Sequence, residues 1–303
     1  MFLHTKELQF TAKPEKPDAL YAMKLQELIG GQFGELTVTM QYLFQGWNCR
    51  MPGKYKDMIM DIATEEIGHV EMICTMVARL LEGAPNEVTS TAVAANPALA
   101  AVIGGMNPQH AIVSGGGALP ANSQGVPWQG AYIVASGNLL ADFRSNVHAE
   151  AQGRLQTSRL YNMTDDPGVK SMLQFNLARD TWHQQQWLLG IEQLKADGLH
   201  GDVEDSNRED EDKQHNHTFW NFSEGEDSTE GLWATGKTLY GEQIEYVAQP
   251  AGIGGDDGTP PPPDPKLYAT YDGSLGTPKP GTAPGAMAQG AKNIVEKAKD
   301  ALS

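Results

Sequence analysis

One run of residues constrains this chain more than any other: Ile59, Ile62, Glu66, His69, Ile73, Met76 and Leu80, spaced three and four apart. Residues at that spacing share one face of an α-helix. The flanks of the run are apolar, so the face is read as buried, yet its centre holds a carboxylate and an imidazole. A buried carboxylate is costly unless it is paired or bound to a metal. Glu-x-x-His on an inward stripe is one half of the ligand set of carboxylate-bridged dinuclear four-helix bundles. The rest of the chain is therefore expected to supply the other half.

In chain order, residues 1–17 are polar, contain Pro14 and Pro17, and read as an arm. Asp18 can cap a first helix running to about Trp47, with Tyr21, Leu25, Leu28, Glu35 and Tyr42 facing inward. Pro52 marks a short turn, and the second helix follows from about Lys54 to Glu82. A break rich in Gly, Pro, Ala and Asn then runs from about Gly83 to Ser136, with a short helix expected over Ala98 to Ile103. Loops of this length are uncommon without a purpose. Helix 3 is expected from about Gly137 to Tyr161, with Leu139, Phe143, Val147, Glu150, Arg154 and Thr157 on one face. Asp166 and Pro167 suit the start of helix 4, which runs to about Ala196. Its stripe is Val169, Met172, Asn176, Asp180, His183, Trp187 and Ile191.

The expected fold class is all-α: a ferritin-like four-helix bundle with one long crossover between helices 2 and 3, plus an extended C-terminal arm. Residues 1–200 form the bundle in this reading. Residues 201–246 form a packed extension, and 247–303 a Pro/Gly-rich arm with a short helix over Gln289 to Leu302. The arm carries Pro260 to Pro263, with Tyr246, Leu267, Tyr268 and Tyr271 as anchors. Aromatics along a proline-rich arm suit burial against a neighbouring subunit, so a homo-oligomer is expected.

Each long helix and its turn folds back so that the marked residues meet at mid-height. The core then holds Glu35, Glu66, His69, Glu150, Asp180 and His183 together. Oxygen-rich sites with one imidazole per metal suit manganese or iron better than zinc or copper. Glu66 is the candidate bridge, Glu35 and His69 the ligands of one metal, and Glu150 and His183 those of the other. Asp180 stands where the symmetric pattern puts a second glutamate. Being one methylene shorter, it is expected outside the ligand set.

The residues now on the page resemble the manganese catalases. The matching pieces are Gly34-Glu35-Leu36, Glu65-Glu66-Ile67-Gly68-His69, Ala149-Glu150, Thr164-Asp165-Asp166-Pro167-Gly168, and Ala178-Arg179-Asp180 followed by His183-Gln184. The resemblance implies disproportionation of hydrogen peroxide to water and dioxygen, as part of the response to oxidative stress. It implies two manganese ions per subunit, cycling between the II,II and III,III states. The implied ligands are Glu35, Glu66, His69, Glu150 and His183, with Tyr42 a hydrogen-bond donor over the site and Asp180 involved in proton movement. It further implies a calcium ion held by Asp57 and Asp61 with Asn221, Ser223 and Gly225, and a hexamer clasped by C-terminal segments. The chain departs from family members that carry arginine just before the third glutamate, having Ala149 there, and from those with glutamate at Asp180. Those departures bear on the access channel and on proton transfer.

Composition narrows the partners. A formal net charge of −16 argues against nucleic acid and anionic membranes. The longest apolar runs are too short to span a bilayer, and Met1 to Lys16 lacks a hydrophobic core of signal-peptide length. The protein is read as cytoplasmic, with Cys49 and Cys74 reduced. Gly231 to Thr238 matches the P-loop pattern, but acidic residues precede it where a buried strand is needed, so nucleotide binding is rejected. Two rivals remain: a di-iron oxidase or oxygenase, which would need an apolar pocket beside the metals, and an iron-storage protein.

Overall fold

A computed structural model describes residues 3–83, 107–199, 212–225, 227–253 and 255–261. The chain divides into two compact units, Met1–Glu211 and Asp212–Ser303. The helices expected over Ala98 to Ile103 and Gln289 to Leu302 lie outside the described residues, as do Leu267, Tyr268 and Tyr271.

The first unit is built on two helical hairpins. Helices α1 (Ala19–Leu25), α2 (Glu27–Gly30) and α3 (Glu35–Asn48) lead to α4 (Gly53–Leu80). After the crossover, with its short α5 (Pro108–Ile112), come α6 (Leu139–Tyr161) and α7 (Pro167–Ala196). Helix α3 packs along α4 and α6 along α7, and the hairpins meet where α3 touches α6 and α4 touches α7. Local signals set the helix ends. The Asp18 carboxylate accepts from Tyr21 N at 2.9 Å, and Asn138 caps α6 through Leu140 N and Ala141 N. Asp166 caps α7 by accepting from Val169 N, with Pro167 in the first turn. Its second oxygen accepts from Glu15 N at 2.8 Å and so fastens the N-terminal arm to the same corner.

One helix was expected between Asp18 and Trp47; the structure has three. The backbone leaves the helix at Gly31 and re-enters at Gly34, which caps α3. Just before the break, a Cβ added at Gly30 would run into the backbone of Ala121 in the crossover. Only a residue without a side chain lets the two chains approach that closely. The break also makes Glu35 the first residue of α3. A helix N-terminus favours a negative charge in its first turn.

The crossover is tied down by buried amides. Gln26 Nε2 donates to the carbonyls of Leu119 and Ala121, and its Oε1 accepts from Leu119 N and His110 Nε2 at 3.1 Å each. Gln41 and Gln45 hold Val134 by its amide and its carbonyl, and both donate to Asn146 of α6.

Two apolar cores flank the bundle's middle. Tyr21, Leu25, Ile73, Met76, Val169 and Met172 belong to one, and Tyr42, Ile59, Ile62, Phe143, Trp187 and Leu194 to the other. Helix α4 thus crosses from the second core to the first and α7 from the first to the second, each passing a polar layer. Each fully buried aliphatic or aromatic side chain contributes about 1.5–3 kcal/mol. Together they hold in place a polar centre that is unfavourable by itself.

The second unit contains a two-stranded parallel sheet, β1 (Thr218–Asn221) beside β2 (Glu245–Ala248), with Thr218 opposite Glu245. The sequence reading placed no strand here, because four-residue strands are too short for their alternation to register. Tyr246 was expected to anchor the arm. Within its own unit its ring lies against Phe219, centroids 5.6 Å apart, and its hydroxyl accepts from Asn221 Nδ2 at 2.7 Å. Gly231 to Thr238 forms turns between the strands, with Leu232 and Trp233 exposed, so it has none of the strand–loop–helix context of a phosphate loop.

Candidate metal centre

Between the two cores lie six ionisable side chains: Glu35 of α3, Glu66 and His69 of α4, Glu150 of α6, and Asp180 and His183 of α7. None is more than 6% exposed. Glu66 sits at the middle. Its Oε2 is 2.8 Å from His69 Nδ1 and its Oε1 is 2.7 Å from His183 Nδ1, so one carboxylate reaches an imidazole from each hairpin. The two imidazole rings lie nearly parallel, with centroids 5.5 Å apart.

Glu35 Oε2 lies 3.7 Å from His69 Nδ1, and Glu35 Oε1 accepts from Asn176 Nδ2 at 3.0 Å. Glu150 Oε1 accepts from the Tyr42 hydroxyl at 2.6 Å, under the indole nitrogen of Trp187 at 3.4 Å. Asp180 Oδ1 also lies 3.7 Å from His69 Nδ1 and accepts from Asn176 Nδ2 at 2.9 Å. Glu66, His69, Asp180 and His183 form the tightest group, each with one ligand atom within 4.8 Å of the others'. By distance alone, Asp180 stands as close to the centre as Glu35. The calcium candidates are elsewhere. Asp57 and Asp61 are exposed on α4. Asn221 orders its own loop, with Oδ1 accepting from Ser223 N and Nδ2 donating to Gly225 O.

The electrostatics show what the cluster lacks. Burial, then the charge of Glu66, raises Glu35 to about 7 and Glu150 to about 8. Burial, then Glu35, holds Asp180 well above the usual carboxylate range. Burial pushes Glu66 up as well, but His69 and His183 outweigh it and keep Glu66 ionised. In His183 burial opposes protonation, yet Glu66 raises it to about 10. Four carboxylates in a dry core thus repel one another, with two imidazoles to offset them. Divalent cations would neutralise the set, and carboxylate oxygens with one imidazole per ion are a donor set suited to manganese or iron.

Sequence reasoning gave no role to the groups just behind the imidazoles. Glu65, next to the bridge candidate but off the stripe, lies 3.1 Å from His183 Nε2 and 3.8 Å from His69 Nε2. Arg179 holds it from α7 with two donors, at 2.5 and 3.0 Å. Asn176 was visible on the α7 stripe, but which carboxylates it serves was not.

Comparison with known proteins agrees with this geometry. The family model described as manganese containing catalase matches residues 1–297. A manganese catalase of Bacillus subtilis is 55% identical over 275 residues, covering 90% of this chain and 99% of that protein. One from Lactiplantibacillus plantarum is 42% identical over 271 residues, covering 88% and 98%. The crystal structure of KatB, a manganese catalase from Anabaena, superposes with a TM-score of 0.61 at 27% identity, covering 82% of this chain and all of that one. With a match along almost its whole length and a buried carboxylate–imidazole cluster in the right kind of bundle, the chain belongs to the manganese-containing catalases, non-haem enzymes that act on hydrogen peroxide.

Proposed function

We propose that this chain disproportionates hydrogen peroxide at a centre of two manganese ions per subunit, bridged by Glu66. The observation that carries the reading is the placement of the two Glu66 oxygens, one against His69 Nδ1 and the other against His183 Nδ1. Glu35 and His69 would hold one ion, and Glu150 and His183 the other. When bound, the pair supplies electron storage between the II,II and III,III states, so that one peroxide is reduced to water and another oxidised to dioxygen.

The chain's own groups do the rest. The Tyr42 hydroxyl donates a hydrogen bond to Glu150 Oε1, and burial followed by the charge of Glu150 keeps that hydroxyl from ionising. Asp180, steadied through Oδ1 by Asn176 and outside the assigned ligand set, is placed to take a proton from peroxide once bound cations offset the neighbouring carboxylates. The apolar cores on both sides keep the polar layer dry. The rivals, a di-iron oxidase or oxygenase and an iron-storage protein, are not favoured by the relatives. Purified protein from manganese-replete cells is expected to contain about two manganese per chain and to evolve oxygen from peroxide with no Soret absorption. Two irons in their place, or oxygen evolution that survives removal of both ions, would overturn the reading.

We also infer a cytoplasmic homo-hexamer that protects against oxidative stress, does not bind nucleic acid or membranes, and carries one calcium ion per chain. The net charge of −16 and the proline run at Pro260 to Pro263 support this. No described helix is long and apolar enough to cross a membrane. For calcium, the support is the exposed pair Asp57 and Asp61, one turn apart, and the ordered Asn221 to Gly225 loop, each within its own unit. Light scattering of the full chain and of a chain cut after Gln249 tests the clasp: the same number of subunits in both would exclude it. Calcium absent from protein purified without chelator would exclude the ion.

A further inference from the structure

A nitrogen that binds a metal carries no proton. If Nδ1 of His69 and of His183 face the ions, each neutral imidazole must carry its proton on Nε2. Both Nε2 atoms are fully buried and neither has a well-aligned hydrogen bond. A buried N–H of this kind needs an acceptor, and metal-binding histidines usually find one in a carboxylate or carbonyl. Here one carboxylate lies near both: Glu65, at 3.1 Å from His183 Nε2 and 3.8 Å from His69 Nε2.

Glu65 is itself held by three hydrogen bonds from two residues. Arg179 Nε reaches Oε1 at 2.5 Å and its Nη2 reaches Oε2 at 3.0 Å, a two-pronged grip that sets the plane of the carboxylate. Gln9 of the N-terminal arm donates to Oε1 at 2.8 Å. A Cβ on Gly68 would stand 2.9 Å from Gln9 Oε1, so the glycine before His69 leaves room for that contact. With the Arg179 guanidinium against both oxygens, Glu65 is placed as an acceptor on each. It is one of the residues lining a cavity of about 570 Å³ between the arm and α4, and its own side chain is 20% exposed.

We propose that Glu65, gripped by Arg179 and Gln9, is the shared positioning residue that sets the ring orientation and tautomer of both metal-facing histidines, one from each hairpin. A single group outside the ligand set thereby couples the two ions' imidazoles. The inference rests on the ligand reading above. Glu65→Gln keeps the shape but leaves one acceptor oxygen for two imidazoles. Arg179→Gln keeps Glu65 but releases its plane.

The test uses full-length, manganese-loaded protein. Manganese affinity is measured by competition with a chelator, the EPR spectrum of the dimanganous protein is recorded at full occupancy, and the metal-free form is melted. Both variants are expected to bind manganese about 10- to 100-fold more weakly than the parent. They should show an altered EPR spectrum when saturated, with the metal-free melting temperature little changed. Parental affinity and an unchanged spectrum in Glu65→Gln overturn the inference. So does a large fall in metal-free melting with an unchanged spectrum, which would make Glu65 a structural tie. Glu66→Ala, run beside them, separates the two readings. If it keeps both ions, the ligand assignment falls and the inference with it. If it loses them while Glu65→Gln behaves as the parent, only the inference falls.

Discussion

Replacing Glu66 with alanine is expected to empty the centre of manganese and to lower oxygen evolution from peroxide by more than about a hundredfold. Losing a residue behind the ligands costs about 10- to 100-fold, and Glu66 is placed to touch both ions. The side chain is fully buried, so no water-exposed group can replace it, and among the described residues no second carboxylate lies within hydrogen-bond distance of Nδ1 of both imidazoles. Glu35 is 3.7 Å from His69 and occupied by Asn176, while Glu150 is held by Tyr42 and Trp187. Removal therefore breaks the link between the hairpins' ligands instead of weakening one bond of several. The protein should still fold, since the two apolar cores do not depend on Glu66. Elemental analysis and an oxygen electrode check this. A variant that retains two manganese per chain and parental oxygen evolution would contradict the bridging role.

The second large effect concerns stability. Gln26→Ala is expected to destabilise the first unit by about 3–5 kcal/mol. Gln26 is 1% exposed and its amide satisfies two carbonyls, one backbone N–H and one imidazole of the crossover. Each buried polar group left without a partner costs about 1–3 kcal/mol, and water entering the new space offsets part of the sum. At about 2–4 °C per kcal/mol for a unit of this size, the melting temperature should fall by roughly 10 °C. The manganese ligands are untouched, so metal content measured well below the transition should stay parental. Gly30→Ala acts on the same contact from the opposite side, by overpacking against Ala121, which typically costs about 1–3 kcal/mol. A Gln26→Ala protein that melts with the parent would mean that the crossover is held by other contacts.

What the sequence determined alone is what helical periodicity carries. A stripe on α4 or α7 is a local property, because residues three and four apart share a face wherever the helix lies. Each stripe had an apolar start, a polar middle and an apolar end, so the two cores and the polar layer were legible before any packing was known. Capping is equally local, and Asp18, Asp166 and Pro167 marked their helix starts.

Tertiary structure decided the rest. The Gly30-Gly31 pair and Gly34 are local signals for the break in the first helix, but the close approach of Gly30 to Ala121 of the crossover is a long-range contact that nothing nearby announces. Glu65 lies off the stripe beside Glu66, so periodicity reads it as a surface charge. Only the approach of α7, bringing Arg179 and His183, turns it inward as a partner of both imidazoles. Asp180 was expected outside the ligand set because its side chain is short. Its distance from His69 equals that of Glu35, because backbone placement, which sequence spacing does not encode, sets how far a side chain must reach. Residue type and periodicity specify which groups enter the core; long-range packing specifies which of them touch.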